Sequence, residues 1–130
     1  MITWLRSLLF NVLWFCAIPL LLIVLLPMLL MSRRVMQYGA KLFTGMTSGL
    51  LRFAAGLRWR VTGLEHLPEG PFIIAAKHQS AFDTMVFHLF LSDPVFVLKQ
   101  ELTKLPIYGR MALHAGMISV DRSAGASALR

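Results

Sequence analysis

Phe72-Ile73-Ile74-Ala75-Ala76-Lys77-His78-Gln79-Ser80-Ala81-Phe82-Asp83-Thr84 is the stretch on which the reading of this chain turns. Residues 72–76 are continuously apolar, the pattern of a strand buried on both faces. A polar loop follows. Asp83 then precedes the apolar run 84–91, which begins as a helix begins, with an acidic cap. Strand, polar loop and helix make the repeating unit of α/β folds, which commonly bind ligands just past the carboxyl ends of their strands. His78 stands at such a place, and Asp83 opens the helix.

Working outward, residues 59–62 alternate like a short strand, and 63–70 form a connector broken by Pro68. Beyond the central stretch come a strand at 95–98, a short helix after Pro106 and a strand at 117–120. Strands alternating with helices predict an α/β sandwich with a mostly parallel sheet over residues 58–130.

Residues 1–57 have a different character. No side chain from residue 7 to residue 32 is charged, and as a helix this run extends about 39 Å, more than a hydrocarbon core of roughly 30 Å. It is too long for the apolar region of a signal peptide, and Met31-Ser32-Arg33-Arg34 is no small-residue cleavage site, so it reads as an uncleaved anchor. Pro19 and Pro27 each remove a backbone donor, which leaves open a kinked span or a segment dipping into one leaflet. Next, Val35, Tyr38, Leu42, Met46, Leu50, Phe53 and Leu57 recur at spacings of three and four, with Gln37, Lys41, Thr44, Ser48 and Arg52 opposite. That is an amphipathic helix at a membrane interface; the alternative is a surface helix on a soluble core.

The net charge of +7 raises nucleic acid as a partner. Yet Arg6, Arg33, Arg34 and Lys41 flank the apolar run, where anionic headgroups attract them, so membrane lipid is expected and nucleic acid is not. The excess of Arg33, Arg34 and Lys41 over Arg6 puts the domain on the cytoplasmic side. The single cysteine, Cys16, lies inside the anchor and permits neither an intrachain disulfide nor a cysteine-based metal cluster.

Asp83 follows His78 by five positions, and the loop between them can fold back so that the carboxylate meets imidazole Nδ1 and fixes the tautomer. Nε2 is then a base able to take a proton from a hydroxyl as that oxygen attacks a carbonyl. By itself such a pair is common, and a loop histidine beside a helix cap is the ordinary reading.

The surrounding sequence gives the pair a context, because it resembles the His-x4-Asp motif of the 1-acylglycerol-3-phosphate acyltransferase family. Lys99-Gln100-Glu101-Leu102 and Leu105-Pro106-Ile107-Tyr108-Gly109 are similar to the segment between that family's first two motifs, and 116–122, ending in Asp121-Arg122, to the second. The resemblance implies His78 as general base, Asp83 as its orienting partner, and Lys99, Gly116 and Arg122 at the substrate. Lys99 and Arg122 would bind the acceptor phosphate, which needs cations and suits an arginine fork. It also implies acyl transfer from acyl-CoA or acyl carrier protein to lysophosphatidic acid, giving phosphatidic acid, without a resident cofactor; the alternatives are an acyltransferase for another lysophospholipid and a membrane-bound binding module or inactive fragment. Lys77 stands where many members have asparagine, and Phe82 where tryptophan is frequent. Motifs of the Glu-Gly-Thr-Arg kind and a later proline motif are expected after Arg122, so the chain reads as truncated within a helix starting at Ser123.

His66, His88 and His114 do not suggest a metal site, and neither do His78, Asp83 and His88, whose even spacing of five puts ligands on no common helical face, with no cysteine or second carboxylate to join them. Ser80 lacks a Gly-x-Ser-x-Gly elbow and reads as a loop hydrogen-bonder rather than a nucleophile.

Overall fold

The computed structural model describes residues 2–121, 123 and 125. Helix α1 spans Ile2–Leu25, a 3-10 segment Leu26–Leu30 turns the chain, and α2 spans Arg33–Leu50 before one π turn at Leu51–Ala55. Pro19 lies inside α1, and Pro27 opens the 3-10 segment. The two helices form an antiparallel hairpin. Arg6 Nε donates to Ala54 O at 3.2 Å near one end, and Trp14 Nε1 donates to Thr47 Oγ1 at 3.1 Å along it. At the other end Gly39 leaves room for Leu25 and Met28: a Cβ there would lie 3.0 Å from Met28 Sδ.

The hairpin packs on the rest of the chain with its polar side. Gln37 Nε2 donates to Pro94 O and Ala115 O, Thr44 Oγ1 donates to Met85 O, and Ser48 Oγ accepts from Trp59 Nε1. Gln37, Thr44 and Thr47 are buried, whereas Tyr38, Leu42 and Phe53 of the apolar stripe face outward, Phe53 at 80% exposure. A surface helix packed on a soluble core would turn its apolar stripe inward, the opposite of the orientation of these three residues. A small core closes where the helices meet the domain: Leu25 and Met36 pack with Met111 and Ala115.

The rest contains β1 (Val97–Lys99), α3 (Gln100–Thr103), α4 (Tyr108–His114) and β2 (Ile118–Val120). β1 and β2 pair in parallel, Val97 with Ile118 and Lys99 with Val120. This right-order strand, helix, strand unit is the part of the expected α/β architecture that forms. Gly109 lets α4 approach α3, since a Cβ there would collide with the Thr103 backbone. Ile107 before it has φ 64° and ψ −62°, and Tyr108 N reaches Pro106 O at 2.7 Å, which is a strained γ-turn.

Three expected elements differ. Residues 59–62 and 72–76 form no strand, and the latter are exposed, Ile73 almost completely. A strand buried on both faces needs neighbours on both edges and cover above and below. Among the described residues β1 and β2 pair only with each other, so the apolar run has none of these. The helix expected over 84–91 is replaced by two 3-10 turns, Ala81–Thr84 and Val86–Leu89. Thr, Val, Phe and His are all indifferent helix formers, and Thr84 Oγ1 donates to Ala81 O instead of leaving the turn to propagate.

Candidate active site

Residues 77–83 fold around the Asp83 carboxylate. Oδ2 accepts from the backbone N–H groups of Gln79 and Ser80, each at 2.6 Å, and Oδ1 accepts from Ser80 Oγ at 3.0 Å. Ser80 is the N-cap of the turn that carries Asp83, so a reciprocal capping box builds the loop. Hydrogen bonds to the ionised form favour it: the two backbone donors, then Ser80 Oγ and the nearby His78, hold the carboxyl below its usual range despite some desolvation. The loop thereby favours the ionised carboxylate at its centre.

That charge faces His78. Nδ1 lies 3.8 Å from Asp83 Oδ2, an ion-pair distance too long for a hydrogen bond. Catalytic contacts of this kind commonly tighten when substrate binds. His78 is two-thirds exposed, and among the described residues its Nε2 has no hydrogen-bond partner. Phe82 packs its ring on Trp59, with centroids 6.0 Å apart, and so ties the turn to the segment leaving the hairpin.

Of the two expected phosphate cations, Lys99 is among the described residues. Lys99 ends β1, and its Nζ pairs with Glu101 Oε1 at 3.1 Å. The register sets Lys99 beside Val120, so the strand end that leads into Asp121-Arg122 lies next to it. Glu101 is held below its usual range by a hydrogen bond to its own backbone and by Lys99, while Asp121 opposes this. Asp121 Oδ1 accepts from the N–H and hydroxyl of Ser123. Arg122 lies outside the described residues, as does the helix expected from Ser123 onward, apart from Ser123 and Gly125. Among the described residues no hydrogen bond or ion pair joins the His78–Asp83 loop to Lys99.

Gly116, expected at the substrate, has φ +91°, and the Arg33 guanidinium occupies the space a Cβ would take. Backbone conformation and this contact account for the glycine without a ligand. Glu101, which neutralises Lys99, took on a role that the sequence did not signal, whereas Ser80 is the loop hydrogen-bonder expected and orients Asp83 through its hydroxyl. Ser-x-x-Asp at a helix start is the local pattern that builds this contact.

A family model described as Acyltransferase matches residues 58–129. The chain is also 40% identical over 81 residues to the 1-acyl-sn-glycerol-3-phosphate acyltransferase of Pseudomonas aeruginosa, covering 62% of this chain and 32% of that protein. It therefore spans about a third of the length of that curated relative. No solved structure matches the chain.

Proposed function

The chain belongs to the acyltransferase family, and on that premise we propose that it serves the transfer of a fatty acyl chain from a thioester, acyl-CoA or acyl carrier protein, to lysophosphatidic acid. The observation that carries this reading is the pairing of His78 with a carboxylate kept ionised by its own loop, while Nε2 is left open to solvent. Nε2 takes the proton of the acceptor hydroxyl as its oxygen attacks the thioester carbonyl. The tetrahedral adduct expels the thiolate, which receives that proton, and the products are phosphatidic acid and free thiol. Asp83 orients the ring and stabilises the imidazolium that forms between the two transfers. Lys99 and Arg122 bind the acceptor phosphate; the adjacent strand ends support this, and Glu101 must yield Lys99 to the incoming phosphate.

The substrates of this reaction are lipids, and residues 2–30 form one helix long and apolar enough to cross a membrane by length and composition. The hairpin geometry favours attachment along one leaflet. α2 is bonded to the domain at Gln37, Thr44 and Ser48, along most of its length, and α1 lies antiparallel beside it. A hairpin crossing the bilayer would carry Met85, Pro94 and Trp59 into hydrocarbon with it. Lying flat, it turns Phe15, Leu42 and Phe53 outward to the acyl chains and leaves the His78 loop at the surface. The basic residues Arg33, Arg34 and Lys41, which anionic lipid attracts, support the cytoplasmic side for this surface.

Replacement of His78 by alanine is expected to lower acyl transfer to lysophosphatidic acid by about 10²- to 10⁴-fold, the range of a lost general base, with vesicle binding unchanged. Turnover within a few-fold of the parent would remove His78 from the chemistry.

A further inference from the structure

Residues 77–83 are closed on themselves and tied to little else. Among the described residues, their hydrogen bonds and ion pair stay within positions 77–85, and one ring contact leaves the loop, Phe82 on Trp59. Trp59 in turn donates from Nε1 to Ser48 Oγ of α2 at 2.6 Å. The indole has no help from its own backbone, because residues 58–62 make no backbone–backbone hydrogen bond among the described residues. Its place is set by Ser48 on one side and Phe82 on the other. One helical turn away on the same face of α2, Thr44 Oγ1 reaches the Met85 carbonyl at 3.2 Å, but it divides its single proton between that oxygen and Ala40 O at 2.9 Å. The bond between Trp59 and Ser48 is shorter and undivided.

Asp83 is held by donors from Gln79 and Ser80, so the His78–Asp83 pair keeps its internal geometry whether or not the loop stays on Trp59. What Trp59 adds is the distance of the pair from α2. That helix turns Tyr38, Leu42 and Phe53 outward, the face that the membrane placement proposed above lays on lipid. We infer that Trp59 is a positioning residue, whose indole bridges Ser48 and Phe82 and so sets the height of His78 above the bilayer. The inference rests on the acyl-transfer and membrane readings, and adds to them a residue outside both the His78 loop and the phosphate cations. Its consequence is selective. A hydroxyl on a lipid held in the bilayer lies at a set depth and needs a base at the matching height, whereas a hydroxyl on a freely diffusing acceptor can follow the loop wherever it goes.

The test compares acyl transfer to long-chain lysophosphatidic acid in phosphatidylcholine vesicles with transfer to a short-chain, monodisperse lysophosphatidic acid. Trp59→Phe keeps a ring on Phe82 and removes the donor, Ser48→Ala removes the acceptor, and Trp59→Leu removes both contacts. The first two should lower kcat/KM on vesicles about three- to tenfold, the worth of one hydrogen bond, and Trp59→Leu more than about tenfold, with the lost ring pair added. On the monodisperse acceptor each should stay within about twofold of the parent, and Ser48→Thr, which keeps the hydroxyl, should match the parent on both. Equal losses on the two acceptors would make Trp59 a support for the fold and overturn the inference, as would no loss on either. A parent active on the monodisperse acceptor alone refutes the membrane reading and this inference with it. A parent that turns over neither acceptor refutes the acyl-transfer reading instead. A nitroxide at exposed position 79, attached through Gln79→Cys in a Cys16→Ser background, then decides the tie. A line shape immobile in the parent and mobile with Trp59→Leu would support it, and the same line shape in both would overturn it.

Discussion

At the scale of single residues, the candidate site is a histidine next to a carboxylate that its own loop has fixed. Three donors from residues 79 and 80 converge on Asp83, and Ser80 supplies two of them. Ser80→Ala removes the only one of these that is a side chain. It should lower kcat about tenfold, in line with one hydrogen bond to a charged group, and Ser80→Thr should restore most of the loss. A steady-state assay at saturating thioester checks this, and an undiminished kcat for Ser80→Ala would show that backbone donors alone suffice. Because the Asp83 pKa lies below the ordinary carboxylate value, its protonation contributes to acid loss of structure only below about pH 4, and not to activity changes nearer neutrality. His78 and Asp83 were legible from their spacing together with the flanking motifs. Glu101 was not, because its pairing with Lys99 depends on how the chain turns from β1 into α3.

At the scale of elements, α2 connects the apolar hairpin to the chemistry. Its two stripes were legible as a period, but the direction in which each faces was decided by packing. Gln37 and Thr44 point inward because Pro94, Ala115 and Met85 present carbonyl oxygens that only donors can satisfy. His88 lies against the same helix, and burial lowers its pKa, with the Met85 carbonyl acting in the opposite sense. The unfolded chain therefore takes up a proton near pH 6.5 that the folded chain takes up only at lower pH. Stability should be full above about pH 6.5 and fall as the pH drops below it, with His88→Phe flattening this part of the profile. Urea unfolding followed by tryptophan fluorescence at several pH values measures it, and parallel profiles for the two proteins would contradict the assignment. The strand expected at 72–76 shows the limit of pattern at this scale. Apolar continuity records what a segment can be buried in, not whether neighbours are there to bury it.

At the scale of the whole molecule, the division at residue 57 separates two compositions but not two cores. Leu25 and Met36 from the hairpin pack with Met111 and Ala115 from the domain, so deletion of 1–57 would remove half of that cluster and expose the rest. Membrane attachment is better tested on the outer face. Phe53→Ser combined with Phe15→Ser should weaken binding to phosphatidylcholine vesicles by about 3–6 kcal/mol if both rings are fully inserted, while the melting temperature stays unchanged, because both side chains face outward. Unaltered sedimentation with vesicles would place the contact on another face. The sequence by itself determined the apolar run, the two-striped helix, the strand pair around α4, and the histidine and aspartate of the candidate site. Each of these rests on local chemistry: hydrophobic period, capping residues, and a spacing one loop can close. Only the tertiary structure decided that the polar stripe faces inward, that Gly116 makes room for Arg33, that Glu101 occupies Lys99, and that Gln37 and His88 are buried between α2 and the domain. These are contacts between residues far apart in the chain, and which partner a polar group meets depends on packing that no local pattern encodes.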